Sequence, residues 1–332
     1  MIDRVVLHIG LDKTGTTAIQ QGCHNARDAL RAERVIYPTS RQYGFHHLDF
    51  ARQFGFSWTD VSDLPDVIER AADYREQLDP EARCLVLSSE HFVYSIGNAA
   101  IRDLKLWLNH FLPEARVDVV LFVRNQVDWF ISVYGESIKW GIKSDIDSFY
   151  ETAKGRLDFL ALAQKWAAAF GTEGIRIASY EACNGEVTRP FFDLLRVSRA
   201  TWDIAHRKRP KFSNQTIAPA VLEAVRELDF KSSRDEIYNF LAGHVALDAF
   251  YQEFLGKPER LWKLPRKLLE DLPVLEAKNG QLAATYSSES FKIPDLQQRA
   301  HNYESGVSAI SAAQMDDIKA RLIADREKIS FS

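Results

Sequence analysis

A chain of 332 residues, 46% hydrophobic and 27% charged, carries enough apolar mass for a full core and makes one large domain or two ordinary ones. Its formal net charge of -4 excludes a general nucleic-acid or membrane-surface binder, so any anion site must be local. Three widely spaced cysteines, Cys23, Cys84 and Cys183, show neither a disulfide framework nor metal-ligand spacing, and fit a reducing compartment. The N-terminal apolar run is too short for a signal peptide, and no stretch approaches the ~18 consecutive apolar residues of a membrane span. These features predict a soluble, cytoplasmic protein.

In chain order, "RVVLHIG" reads as a buried strand ending at Gly10, and Ile19, Cys23, Ala26 and Leu30 then recur at helical spacing. "RVIYPTS" is a second short strand stopped by Pro38, and "RCLVLSSE" a third. Ile101, Leu104, Leu108 and Phe111 form a helix stripe that ends before Pro113. "RVDVVLFVRN" is the fourth and strongest strand, followed by a stripe of Val127, Phe130, Ile131, Tyr134 and Ile138. "GIRIASYE" is the fifth. Strands alternating with helices predict an α/β fold, a three-layer α/β/α arrangement around a central parallel sheet. Beyond about residue 200 the strand signals fade. "APAVLEAVRELDF", "SRDEIYNFLAGHVALDAFYQEFL" and "AQMDDIKARLIADREK" read as helices, with residues 256–310 undecided between them. The expected organisation is one domain over 1–332, with an α/β core (1–200) and a mostly helical C-terminal extension (201–332).

The first loop, "HIGLDKTGTTAIQ" at residues 8–20, lies between a predicted strand and a helix from about Thr16. Amides at a helix start and the helix dipole favour an anion there. Gly10 and Gly15 let the backbone come close to a ligand. Lys13 supplies a full charge, and Thr14, Thr16 and Thr17 supply hydroxyls. Every part suits a phosphate or similar tetrahedral anion. A nucleotide triphosphatase loop reads G-x-x-x-x-G-K-[ST], with lysine after the second glycine. Here Lys13 precedes Gly15, and no acidic strand end offers a magnesium partner. The fold is therefore P-loop-like, with a loop not suited to metal-dependent ATP hydrolysis.

A second segment, "VVLFVRNQVDWFISVY" at residues 119–134, places Arg124 at the end of a buried strand and Ser132 eight residues later in the next helix. The carboxyl end of a parallel strand faces the ligand crevice of such sheets. A guanidinium there can grip a phosphate with two bonds. Two separate anion sites imply a ligand with phosphates at two ends.

With both segments in view, the chain resembles the sulfotransferases. "GLDKTGTTAIQ" is similar to their 5′-phosphosulfate loop, with its K-[ST]-G-T-[ST] core. "FVRNQVDWFISVY" is similar to their 3′-phosphate motif, commonly R-N-P-x-x-R-x-x-S. Gln126 replaces the usual proline, Trp129 the second basic residue, and Asp12 stands where many relatives have a non-acidic residue. The resemblance covers roughly the first 200 residues. It implies 3′-phosphoadenosine 5′-phosphosulfate as donor, adenosine 3′,5′-bisphosphate as product, and no metal. It places Lys13, Thr14, Gly15, Thr16 and Thr17 on the 5′ end and Arg124 and Ser132 on the 3′-phosphate. Lys13 would also stabilise charge on the bridging oxygen.

The base should be a carboxylate or histidine in the crevice. "LVLSSEHFVY" puts Glu90 and His91 just past the third strand. Relatives acting on glycans often have a glutamate at this point, and small-molecule relatives a histidine, so Glu90 is the first choice and His91 the second. His46 and His47 could bind acceptor or donor sulfate, while His8, inside a strand, reads as structural. The basic loop "HRKRPKFSNQT" offers Lys211 and Asn214 as ligand contacts. Trp202 reads as a stacking surface or as a buried ring. The implied acceptor is a carbohydrate or another small molecule bearing a hydroxyl. The alternatives are a nucleotide kinase or NTPase, and a non-catalytic nucleotide binder.

Overall fold

Short runs of branched apolar residues form five strands: β1 (Arg4–His8), β2 (Val35–Ile36), β3 (Cys84–Ser88), β4 (Arg116–Val123) and β5 (Ile175–Ser179). Each falls inside a segment that the sequence marks. The computed structural model describes residues 1–57, 64–94, 98–207, 217–228, 233–252, 263–286, 295–305 and 311–330. The strands pair in parallel in the order β2-β3-β1-β4-β5. The chain leaves β1 toward β2 on one side of the sheet and leaves β4 toward β5 on the other. Adjacent strands whose connections diverge open a crevice at their carboxyl ends.

Helices fill the connections. α1 (Thr16–Asn25) and α2 (Arg27–Ala32) follow β1, and α3 (Leu48–Gln53) and α4 (Ala72–Arg75) lie between β2 and β3. α5 (Ala99–Phe111) leads to β4, and α6 (Gln126–Lys139), α7 (Ile146–Ala153) and α8 (Phe159–Phe170) lead to β5. Beyond β5 come α9 (Thr188–Leu194), α10 (Arg199–Arg207), α11 (Pro219–Glu227), α12 (Arg234–Phe240) and α13 (Ala249–Gln252). α14 (Arg266–Tyr286), α15 (Leu296–Ser305) and α16 (Ala312–Ser330) complete the order. The predicted stripe Ile19, Cys23, Ala26 and Leu30 is buried, but two helices carry it, with a break at Ala26. α14 and α15 occupy the undecided stretch. Pro273 lies inside α14, and among the described side chains of α15 the buried apolar ones are Leu296 and Ala300, so neither pattern announces a helix. No helix among the described residues is long and apolar enough to cross a membrane.

The chain divides into two compact units. The first comprises Met1–Arg124, Asp158–Arg209 and Ala277–Ile293, and holds the whole sheet. Period-two alternation sends Val5, Leu7, Leu85, Leu87, Val119 and Leu121 to one face, where α3, α5 and α8 cover them. Val6, Cys84, Val86, Val120 and Phe122 meet α1, α9 and α10 on the other. Both faces are dry, which is why the strands read as nearly unbroken apolar runs. The second unit comprises Asn125–Leu157, Pro210–Glu276 and Pro294–Ser332. In it Phe130 and Tyr134 of α6 pack against Phe149 and Tyr150. Polar ties supplement that core: the Tyr134 hydroxyl donates to Glu223 at 3.2 Å, Tyr150 donates to Asp271 at 2.6 Å, and Arg299 pairs with Asp128 at 2.9 Å.

Trp107 of α5 is fully buried between Phe50, Phe54 and Phe111, and its indole donates to the Arg70 carbonyl at 2.9 Å. Trp107→Ala removes a large apolar volume and that donor together. Urea denaturation should show a loss of about 3–5 kcal/mol. An unchanged midpoint would contradict the packing described.

Candidate functional site

β1 ends at His8, and the chain then turns through two glycines into α1. Gly10 has φ +92°, and a Cβ there would lie 3.0 Å from Glu90 Cα and 3.2 Å from Glu90 Cβ. The missing side chain lets the loop lie against the exit of β3. Gly15, the N-cap of α1, has φ +84°, and a Cβ there would strike Val187 at 2.6 Å. Lys13 also adopts a left-handed backbone, with φ 60°. The hydroxyls of Thr14 and Thr16 both donate to the Leu11 carbonyl, at 2.6 and 2.7 Å, and both residues are buried. Their hydroxyl hydrogens therefore shape the loop, and what they offer a ligand is the main chain. Thr17 is half-buried, and its hydroxyl bonds to none of the described residues. α1 has no side-chain cap and no acidic residue in its first turn. Its positive end is thus unanswered by its own side chains, the arrangement that favours an anion.

Arg124 follows β4 directly, and its Nη1 donates to the Lys13 carbonyl at 3.2 Å. Its guanidinium lies 5.3 Å from the Tyr180 ring centroid, and Tyr180 Cε2 is 3.6 Å from where a Gly15 Cβ would be. Arg124 and the Lys13 turn therefore meet. Tyr180 escaped the sequence reading, although it follows β5 in the way that Arg124 follows β4. Ser132 lies half-buried on α6, in the second unit. Within that unit Asn125 caps α6, accepting from the Val127 amide at 3.0 Å. Trp129, which stands at a position usually basic, is fully buried and carries the Arg156 guanidinium 4.9 Å from its ring centroid.

Past β3, Glu90 begins a 3-10 turn, Glu90–Val93, that Ser89 caps. Glu90 is half-buried, and the Gln20 amide donates to its Oε2 at 3.2 Å. His91 is half-buried, edge-on to Tyr94. Burial lowers its pKa to about 4, aided by the positive charge of Arg52 and opposed by Asp12. The His46–His47 pair divides. His46 is half-buried and stacks on Tyr43 at 5.0 Å; burial lowers its pKa, and the Glu90 charge works against that. His47 is fully buried, with Nε2 against the Pro38 carbonyl at 2.8 Å and Nδ1 accepting from the Ser88 amide at 3.0 Å. Both its nitrogens are engaged, so it braces the exit of β3 and has no free nitrogen for an acceptor. His8 is buried between Phe122 and Phe191, with Nδ1 2.7 Å from Ser88 Oγ, and burial lowers its pKa to about 3. It is structural, as its strand position suggests.

Lys211 and Asn214 lie outside the described residues. Trp202 is half-buried; His206 stacks on it at 5.0 Å and the guanidinium groups of Arg189 and Arg199 lie over it, so its own neighbours already cover the ring. Among the described residues one group has metal-ligand geometry: His244, Asp248 and Asp325, in the second unit. Arg321 reaches Asp325 at 2.8 Å and Asp248 at 3.4 Å, so a guanidinium already balances those carboxylates.

No family model matches the chain, and no curated protein matches it. Among solved structures, a sulfotransferase from Alicyclobacillus acidocaldarius is similar over 87% of this chain and 97% of its own, with a TM-score of 0.44 and 12% identity. That likeness is too distant to carry function, which must come from the residues of this chain.

The buried histidines set a pH dependence. Unfolded, His47 takes up a proton near pH 6.5, whereas folded it does so only near pH 4. Between those values the unfolded chain binds more protons. The contribution of His47 is therefore complete above about pH 6.5 and is lost as pH falls, by about 3 kcal/mol at pH 4. His47→Gln, which can still donate toward Pro38, should give a shallower fall in urea-unfolding free energy between pH 7 and pH 4. An equal slope would show that His47 does not stay neutral in the fold.

Proposed function

We propose that this chain is a sulfotransferase that moves a sulfuryl group from 3′-phosphoadenosine 5′-phosphosulfate to an acceptor hydroxyl, on a carbohydrate or glycoconjugate. One observation carries the reading. The Lys13 loop touches Arg124 through a hydrogen bond and Glu90 through the bare face of Gly10, so a lysine, an arginine and a glutamate share one end of the sheet. The two motifs that resemble sulfotransferases supply the Lys13 loop and Arg124.

The loop amides and the Lys13 ammonium would hold the 5′ end of the donor, and Arg124 the 3′-phosphate. Glu90 would take the proton of the acceptor hydroxyl as that oxygen bonds to sulfur. The bond from sulfur to the bridging phosphate oxygen breaks on the opposite side. Lys13 and the first-turn amides of α1 would stabilise the charge left on that oxygen, and adenosine 3′,5′-bisphosphate departs. Glu90 is favoured over His91 because Gln20 already orients its carboxylate. The glutamate after β3 and the Tyr43–His46 stack near it support a sugar-like acceptor with both apolar and polar faces.

Adenosine 3′,5′-bisphosphate at about 100 times its dissociation constant should stabilise the protein by about 2.7 kcal/mol in thermal unfolding. Arg124→Ala should weaken that effect. Glu90→Gln should keep it and lower turnover by about 10²–10⁴-fold. Stabilisation by ATP–magnesium and none by the bisphosphate would replace this reading with a kinase or NTPase.

A further inference from the structure

Gln20 sits in the second turn of α1, 2% exposed, beside the apolar stripe that anchors the helix. A buried amide is unfavourable unless its donors are answered. Here one nitrogen serves two acceptors: Nε2 donates to Glu90 Oε2 at 3.2 Å and to the Ser88 carbonyl at 3.3 Å. Both partners are oxygens without hydrogen. Turning the amide over would set its own oxygen against them, so the contacts fix which way it faces. The amide answers the carboxylate and the Ser88 carbonyl together.

Three restraints therefore converge on Glu90. Its Cα abuts Gly10, its backbone lies in the turn capped by Ser89, and its Oε2 is held by Gln20. Oε1 bonds to none of the described residues. Four residues separate Gln20 from Thr16, a rise of about 6 Å along the helix. One helix thus presents its first turn to the anion loop and its second turn to the carboxylate.

We propose that Gln20 is a positioning residue: it holds Oε2 so that Oε1 faces the acceptor, and it ties the base to the helix that forms the phosphate loop. This rests on the reading of Glu90 as the base. In this role Gln20 acts on the reaction through Glu90, while its second contact ties it to the Ser88 carbonyl.

The test uses turnover of 3′-phosphoadenosine 5′-phosphosulfate to adenosine 3′,5′-bisphosphate with water as the acceptor hydroxyl. Four proteins are compared: wild type, Gln20→Leu, Glu90→Gln and the double variant. Gln20→Leu should lower kcat about tenfold or more, since small misplacements of a catalytic group have large effects on rate. The KM for the donor and the calorimetric affinity for the bisphosphate should stay within about twofold, which also reports an intact fold. The double variant should be no slower than Glu90→Gln alone, because a residue acting through another has nothing left to lose. Additive losses, or an unchanged kcat in Gln20→Leu beside an impaired Glu90→Gln, would overturn the role of Gln20 and leave Glu90 standing. Full activity in Glu90→Gln, or none in wild type, would overturn both. If Gln20→Leu fails to fold, Gln20→Asn replaces it, one methylene too short to reach Oε2. A crystal structure of the folded variant with the bisphosphate should show Glu90 in more than one rotamer. A single unchanged rotamer would end the proposal.

Discussion

Close approach of bare backbone at Gly10 and Gly15 is the constraint on which the rest depends. A β-carbon at Gly10 would crowd Glu90 Cα at 3.0 Å, and one at Gly15 would strike Val187 at 2.6 Å. Without side chains at both positions, the first loop lies against the exit of β3 on one side and the segment leading into α9 on the other. Once there, its shape is held from inside, by two threonine hydroxyls folded onto the Leu11 carbonyl. Arg124 closes the arrangement by donating to the main chain of Lys13. The proposed anion site is thus made chiefly of backbone, and side chains serve to keep that backbone still.

The same economy governs the buried polar groups nearby. His8, His47, Ser88 and Gln20 are all almost fully buried where β1 and β3 end, and each has a hydrogen-bond partner there. The imidazoles remain neutral because burial disfavours their charged forms. Burying them neutral gives fixed dipoles without net charge, so the carboxylate of Glu90 meets no competing cation from these neighbours. Half-buried His46 and His91 lie closer to solvent and border the same carboxylate.

Much of this was legible in the sequence, and the exceptions have physical causes. All five strands are readable because a sheet covered on both faces needs nearly unbroken apolar runs, such as "VVLFV" at residues 119–123. The glycine-rich loop is readable because its backbone demands are written in residue types. Gln20, Tyr180 and the bracing role of His47 are not, since each depends on partners far away in sequence. Gln20 meets Glu90 across 70 positions, and His47 meets Ser88 across 41. Two neighbouring histidines look alike as letters, yet one turns inward and the other stacks on a tyrosine. α14 and α15 were hidden for another reason: an internal proline and a thin apolar stripe carry little periodic signal.

The left-handed conformation at Lys13 has a consequence of its own. On torsional grounds that place in the turn belongs to glycine or asparagine; a long unbranched side chain there is held against its preference by roughly 1–2 kcal/mol. The ammonium is thus carried on a main chain that its own β-carbon strains. Neutralising the residue to alanine would change charge and leave the torsion strained, whereas glycine would remove both at once. Comparing the two separates what the ammonium does for an anion from what the bend does for the loop.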